Sequence, residues 1–309
     1  MRSPAALQRQ RIGPIDFGHS PRQPSDPSIE TDPMEIHRVS AFSDSGSGGN
    51  PAGVAIVRSM PTKERMQRIA ADVGYSETVF ACQEEDAWRV RYFSPETEVP
   101  FCGHATIALG AVLAMQMGND VFKLQLNDTQ ITVEGMSSDG QVSGAFQSPK
   151  TSIAEPPSEL VAETLALFSY ERDQLDARLP PMLINAGSDH MALTLNTRQA
   201  ILDMTYDLSA GKALMLREGW ITVILAFAET NQLFHTRNPF ASGGVYEDPA
   251  TGSASAAYAG YLRDMNWPHQ NSLEFIQGED MGCRSRVRVS LSDATGSSVR
   301  VFGEAVSLP

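Results

Sequence analysis

Pro100-Phe101-Cys102-Gly103-His104-Ala105-Thr106-Ile107-Ala108-Leu109-Gly110-Ala111-Val112-Leu113-Ala114-Met115 is the stretch whose reading decides the fold. From Ala105 to Met115 every residue except Thr106 is apolar or glycine, so a helix here has no solvated face and has to be surrounded by protein. The run falls short of the ~20 apolar residues that cross a bilayer, which removes the membrane reading. Cys102, Gly103 and His104 stand at its entrance, where backbone N–H groups lack intrahelical partners and the helix dipole favours negative charge. Such an end suits a carboxylate or an enolate-like oxygen.

The later half repeats the design in Glu247-Asp248-Pro249-Ala250-Thr251-Gly252-Ser253-Ala254-Ser255-Ala256-Ala257-Tyr258-Ala259-Gly260-Tyr261-Leu262. Acidic and small polar residues again lead into a helix of small apolar ones. Two buried helices with polar, glycine-containing entrances predict two similar lobes, with a site in the cleft between the entrances.

Length and charge narrow the classes further. At 309 residues the chain can fill two cores. A formal net charge of −13 and an isoelectric point near 4.9 argue against a nucleic-acid partner, whose phosphates call for clustered Lys and Arg. Cys82, Cys102 and Cys283 are widely spaced and form no CxxC pair, so neither a disulfide framework nor a zinc knuckle is encoded, and a reducing cytoplasm is the simplest home.

Residues 1–33 hold six prolines, four arginines and few large apolar residues, and read as a disordered tail with no signal-peptide core. A plain tail or an over-long start fits better than a transit peptide. The folded chain is expected from Met34. A first lobe over 34–149 carries strands at 34–42, 53–57, 75–81 and 88–93, an amphipathic helix from Pro61 to Gly74, and a meander at 121–126, 130–134 and 141–146. Lys150 to Pro157 is the expected linker. The second lobe, 150–298, reads as a helix at 158–168, strands at 182–186 and 190–195, a helix near 197–204, and strands at 220–227, 272–276 and 285–291. A last strand, about 299–309, has the option of rejoining the first lobe. The glycine- and serine-rich turn from Ser43 to Pro51 lacks the Lys of a Walker loop and the GxGxxG of a dinucleotide loop, so it reads as a strand connection.

In Tyr75-Ser76-Glu77-Thr78-Val79-Phe80-Ala81 alternation puts Glu77 on the face of Val79 and Ala81. If that face is inward, desolvation raises the carboxyl pKa toward the range a general acid or base needs; a solvent-facing strand start is the equally simple alternative.

Gly49-Asn50-Pro51, Ser76-Glu77-Thr78, Pro100 to Thr106 and Glu247 to Ala254, in that order, resemble the PhzF-like phenazine-biosynthesis isomerase family of the diaminopimelate-epimerase fold. The resemblance runs from about Met34 to Pro309 and takes in Gln277-Gly278 and Arg284-Ser285. It implies an α+β fold of two pseudo-symmetric lobes, each a mainly antiparallel sheet rolled around a central buried helix. By resemblance Glu77 is the acid/base and His104 and Asp248 position or polarise. Asn50, Ser76 and the amides of Gly103, Gly252 and Ser253 then bind a small carboxylate substrate. Neither cofactor nor metal is implied, and a homodimer is compatible. In the racemase branch of that fold a cysteine stands at each helix entrance. Cys102 matches one, but Thr251 stands at the other, and a hydroxyl is far too weak an acid to replace a thiolate. A one-base proton shift on one face remains.

Three other readings compete. A hydrolase built on Cys102 and His104 needs two residues only two apart to aim at each other, and a small buried Cys is the blander account. A metal held by Glu77, His104 and Asp248 lacks the short ligand spacing that would signal it. The non-enzymatic alternative is a small-carboxylate-binding protein on the same fold.

Overall fold

The computed structural model describes residues Met34–Pro309, and the expected tail at 1–33 lies outside them. The first lobe runs β1 (His37–Ser43), β2 (Asn50–Val57), α1 (Lys63–Val73), β3 (Glu77–Glu84), β4 (Ala87–Phe93), β5 (Glu98–Val99), α2 (Gly103–Met117), β6 (Asp120–Gln125), β7 (Gln130–Ser138) and β8 (Gln141–Gln147). Next come β9 (Ser152–Ala154) and α3 (Ser158–Leu167). The second lobe follows with β10 (Met182–Asn185), β11 (Asp189–Thr194), α4 (Arg198–Leu202), α5 (Leu208–Glu218), β12 (Thr222–Ala228) and β13 (Leu233–Pro239). It ends with β14 (Glu247–Asp248), α6 (Gly252–Asp264), β15 (Ser272–Gln277), β16 (Ser285–Ser290) and β17 (Arg300–Ser307).

The two lobes repeat one pairing scheme. In the first, β1–β2 is antiparallel, β2–β3 parallel, β3–β4 antiparallel and β4–β6 parallel; β6–β7–β8 then forms a meander. In the second, β10–β11, β11–β12, β12–β13 and β13–β15 follow the same sequence of senses, and β15–β16–β17 supplies the meander. β17 also pairs with β8 and β1, which closes an eight-stranded ring around α2. The second sheet meets its other end, β9, through side chains. Arg263 of α6 is buried and donates to Thr151 Oγ1 at 2.6 Å and to Ser297 O at 3.0 Å, just before β9 and β17.

Both central helices are sheathed as their composition demands. α2 is buried from His104 through Ala114, and only its last turn emerges, with Met115 43 % exposed. Glycines let the sheet touch this helix directly: a Cβ on Gly135 of β7 would lie 2.2 Å from Gly110 O, and one on Gly144 of β8 would lie 2.6 Å from Ile107 O. Alternation sorts the outer layers. In β3, Val79 and Ala81 face the α2 core, whereas Phe80 packs with Phe93 against Met66 and Ala70 of α1. That helix starts on the Thr62 side chain, which accepts from Arg65 N, and stops at left-handed Gly74.

Three elements differ from the sequence reading. The linker at 150–157 contains β9, which pairs with β10. β13 gives no apolar alternation because both its faces are buried, with Thr236 following Phe234 on one and His235 and Arg237 on the other, so it carries no strand signature. α5 is absent from the sequence reading; it is started by Asp207, whose side chain accepts from Ala210 N at 2.7 Å, and buries Leu214 and Met215.

Candidate active site

The entrances of the two central helices meet. Cys102 and Thr251 are the N-caps of α2 and α6, and neither caps its helix with its side chain, so the first backbone N–H groups stay open. A Cβ on Gly103 would lie 3.8 Å from Gly252 Cα and 3.3 Å from the Phe146 ring, so glycine at both positions permits the approach. A bulge in β1 between Ala41 and Ser43 holds Phe42 at φ 61°, and its ring sits against Gly252.

Around this junction lies a cavity of about 390 Å³. Glu77, Cys102, His104 and Asp248 lie at its polar end with Gly103, Gly252 and Ser253. Its walls are apolar, with Phe101, Leu126 and Ile131 from the first lobe and Ile221 and Phe240 from the second. Among the described residues its lining contains no Lys or Arg.

Glu77 opens β3 on the α2-facing side, its side chain 13 % exposed, with Oε2 3.4 Å from His104 Nε2. Ser76 Oγ is 3.3 Å from the same nitrogen. On the far side of the ring, Nδ1 lies 3.2 Å from Cys102 Sγ and 3.3 Å from Asn50 Nδ2. Burial pushes the imidazole pKa down, against Glu77 and the Pro51 carbonyl, and pushes the Cys102 thiol well up, with Glu77 adding to the effect. A neutral ring and a protonated thiol satisfy these contacts together when Cys102 S–H donates to Nδ1 and Nε2–H faces Glu77.

Asn50 Nδ2 donates to Asp248 Oδ1 at 2.8 Å and to Ala250 O at 3.1 Å, two acceptors that fix which end of the amide is NH₂. Asp248 is also held by Thr251, whose hydroxyl donates to Oδ2, and by Gln277, whose Nε2 donates to its backbone O at 2.6 Å. Burial pushes the Asp248 carboxyl up to about 7; Glu77 acts in the same direction, and the Thr251 and Asn50 bonds oppose it. Asn50 and Ser76, expected as substrate contacts, are engaged by protein: Asn50 holds Asp248 and Ala250, and Ser76 meets His104.

Glu77, Cys102 and His104 bring three metal-type donor atoms within 4.8 Å of one another. The imidazole nitrogen that faces Glu77 is Nε2, which is 3.9 Å from Cys102 Sγ, whereas the nitrogen nearest the sulfur is Nδ1. Nε2 thus lies 3.4 Å from Glu77 Oε2 and 3.9 Å from Cys102 Sγ, so the three side chains contact one another directly.

The repeated topology identifies counterparts. Glu77 and Thr222 open the equivalent strands β3 and β12, paired with Ala52 and His190. Cys102, Gly103 and His104 correspond to Thr251, Gly252 and Ser253, and Val99, opposite Tyr92, corresponds to Asp248, opposite Asn238. The ionisable groups are thus divided unequally: Glu77 and His104 come from one lobe, Asp248 from the other. Sequence reasoning missed Thr222 and the bracing roles of Thr251 and Gln277. Strand register reveals the first, and hydrogen bonds to Asp248 reveal the other two.

The chain matches the family described as phenazine biosynthesis-like protein over residues 39–308. It is 31% identical over 274 residues to an uncharacterized isomerase of Pseudomonas aeruginosa, covering 88% of this chain and 95% of that one. Its fold is similar to that of a PhzF-family phenazine biosynthesis protein of Bacillus anthracis, with TM-score 0.78, 21% identity, and 89% and 97% of the two chains covered. A more distant similarity is to a hydroxyproline epimerase of Agrobacterium vitis crystallised with trans-4-hydroxy-L-proline, with TM-score 0.57, 13% identity, and 89% and 91% covered. Among the described residues no helix is long and apolar enough to cross a membrane.

Proposed function

Because the chain belongs to the phenazine biosynthesis-like family and is an isomerase, we propose that it moves a proton on a small cyclic or amino carboxylic acid, without a cofactor, using Glu77 as acid/base. The observation that carries this reading is Glu77 meeting His104 at 3.4 Å at the end of a cavity onto which both central helices open.

The substrate carboxylate lies against the N–H groups of Gly103, Gly252 and Ser253, where two helix dipoles add. Glu77 takes a proton from a carbon conjugated with that carboxylate, and the electrons of the broken C–H bond move onto the carboxylate as an enolate-like charge that the same N–H groups stabilise. His104 holds the carboxyl of Glu77 in place, and Glu77 returns the proton to another carbon on the same face. Thr222 and Thr251, the second-lobe counterparts of Glu77 and Cys102, are too weakly acidic to supply a base on the opposite face. Asp248, titrating near neutrality, is the second group able to carry a proton beside the substrate. The apolar walls suit a ring, and the epimerase of similar fold binds a cyclic amino carboxylate. Three unpaired cysteines fit a reducing cytoplasm.

The test is deuterium uptake from heavy water into a panel of cyclic and amino carboxylic acids, read by mass spectrometry. Uptake that vanishes in Glu77→Gln supports the assignment; uptake that survives in that variant sinks it.

A further inference from the structure

Three neighbouring side chains inside the second lobe carry polar atoms that no protein group satisfies: Thr236 Oγ1, both amide atoms of Asn238, and Ser255 Oγ. All three residues are buried, Asn238 and Ser255 at 0% exposure. They share one layer. Phe234 of β13 packs on Tyr258 of α6, so Thr236 and Asn238, two and four residues on, face the same helix. Ser255 lies one turn before Tyr258 on that helix, and Asn238 stands directly opposite Asp248 in the β13–β14 pair, with both side chains on one face.

The first lobe shows what this layer contains when complete. There Tyr92, opposite Val99, corresponds to Asn238, and Thr106, four residues past the N-cap, corresponds to Ser255. Tyr92 Oη meets Thr106 Oγ1 at 2.7 Å, and Thr106 donates on to Cys102 O at 2.7 Å. In the second lobe a carboxamide replaces the phenol and a serine the threonine, which leaves donors and acceptors facing each other without the ring that linked them. A buried group left unpaired forfeits its hydration, whereas one buried water typically makes about three hydrogen bonds.

We propose that Asn238, Thr236 and Ser255 bind ordered water where the first lobe places the Tyr92 hydroxyl, and that Asn238 acts through this water as a positioning residue for the Asp248 carboxyl. The other groups facing Asp248 come from elsewhere. Glu77 lies on β3, Cys102 and His104 at the start of α2, Asn50 on β2, Thr251 at the start of α6, and Glu247, beside it in the chain, is held by Arg237. The water site stands by itself; only its consequence for turnover rests on the proposed function.

Two measurements test this on the full chain. A crystal structure resolving solvent is expected to show water within about 2.6–3.2 Å of the Asn238 amide and Ser255 Oγ; an amide bonded directly to protein with no density beside it overturns the site. Titration of Asp248 by carbon NMR of ¹³C-labelled aspartate is expected to move upward by about one pH unit, a tenfold change, in Asn238→Leu, and in the same direction in Ser255→Ala. An unmoved midpoint in a folded Asn238→Leu, or in Ser255→Ala if the leucine variant does not fold, overturns the positioning role. The double change Asn238→Tyr with Ser255→Thr, copying the first lobe, is expected to expel the water. Loss of deuterium exchange across the whole panel would count against the proposed function and leave these readouts intact.

Discussion

Asn50 donates to Asp248 at 2.8 Å across 198 residues of chain, and this one amide joins the two halves of the site. Asn50 opens β2 in the ring around α2, and Asp248 ends β14 in front of α6. The same nitrogen lies 3.3 Å from His104 Nδ1, so the amide that holds the carboxyl of the second lobe also packs against the imidazole of the first.

Replacing Asn50 with leucine leaves Asp248 Oδ1 and Ala250 O without their donor. Each lost partner costs about 1–3 kcal/mol, so the melting temperature is expected to fall by several degrees. Proton exchange should drop by about tenfold or more, since Asp248 loses its donor from the first lobe. A variant with parental stability and parental exchange would show that the amide is incidental.

Glu77→Gln keeps the size of the side chain and removes its ability to take a proton. Exchange into any accepted substrate is expected to fall about 100-fold or more. Cys102→Ala should cost far less, because burial holds the thiol protonated and it serves as a packing atom and a donor to His104. Side-by-side rates of the two variants decide the matter; the reverse order would assign the chemistry to the sulfur.

The fold was largely legible because its two central helices are apolar on all sides, which has few solutions besides enclosure by a sheet. Alternation puts Glu77 on the face of Val79 and Ala81 but leaves open whether that face is inward; the structure puts it on the α2 side. What stayed hidden depended on contacts distant in sequence. Asn50 looked like a ligand contact, yet its hydrogens are consumed by Asp248 and Ala250, which lie in the other lobe. The counterpart relation of Glu77 and Thr222 has no trace in the residues themselves, since it exists only in strand register. β13 escaped notice for the same reason that it matters: its inward positions hold Thr236 and Asn238 where a core strand would carry aliphatics.

Asp248 gives the protein a pH signature of definite sign. Its folded value of about 7 lies above the ordinary 3.8, so between these values the native state holds a proton that the unfolded chain has released, and stability falls as pH rises through that window. His104 acts oppositely. Its folded value lies below the ordinary 6.5, so the unfolded chain gains a proton first as pH falls and stability is lost on the acid side. Asp248→Asn removes the first contribution alone. The melting temperature of that variant relative to the parent is therefore expected to climb steadily from about pH 4 to about pH 7. A difference that is flat with pH, measured by calorimetry in matched buffers, would contradict the shift.

Gly135 tests how tightly the site depends on the sheet behind it. A Cβ there would stand 2.2 Å from Gly110 O and 3.0 Å from the Ala114 Cβ, and the nearer obstacle is backbone of α2, which cannot rotate away as a side chain could. Gly135→Ala must therefore push β7 and α2 apart. Overpacking of this kind costs about 1–3 kcal/mol or more, and at about 2–4 °C per kcal/mol for a chain of this size the melting temperature should fall by several degrees. Because α2 carries Gly103 and His104 at its entrance, a displaced helix should also weaken exchange in the fraction that stays folded. Met136→Ala, at the next position on β7 and 50 % exposed, is the matched control and should change stability by no more than about 0.5 kcal/mol. Equal melting temperatures for the two variants would mean that the ring opens without cost and that α2 is not gripped by the strands around it.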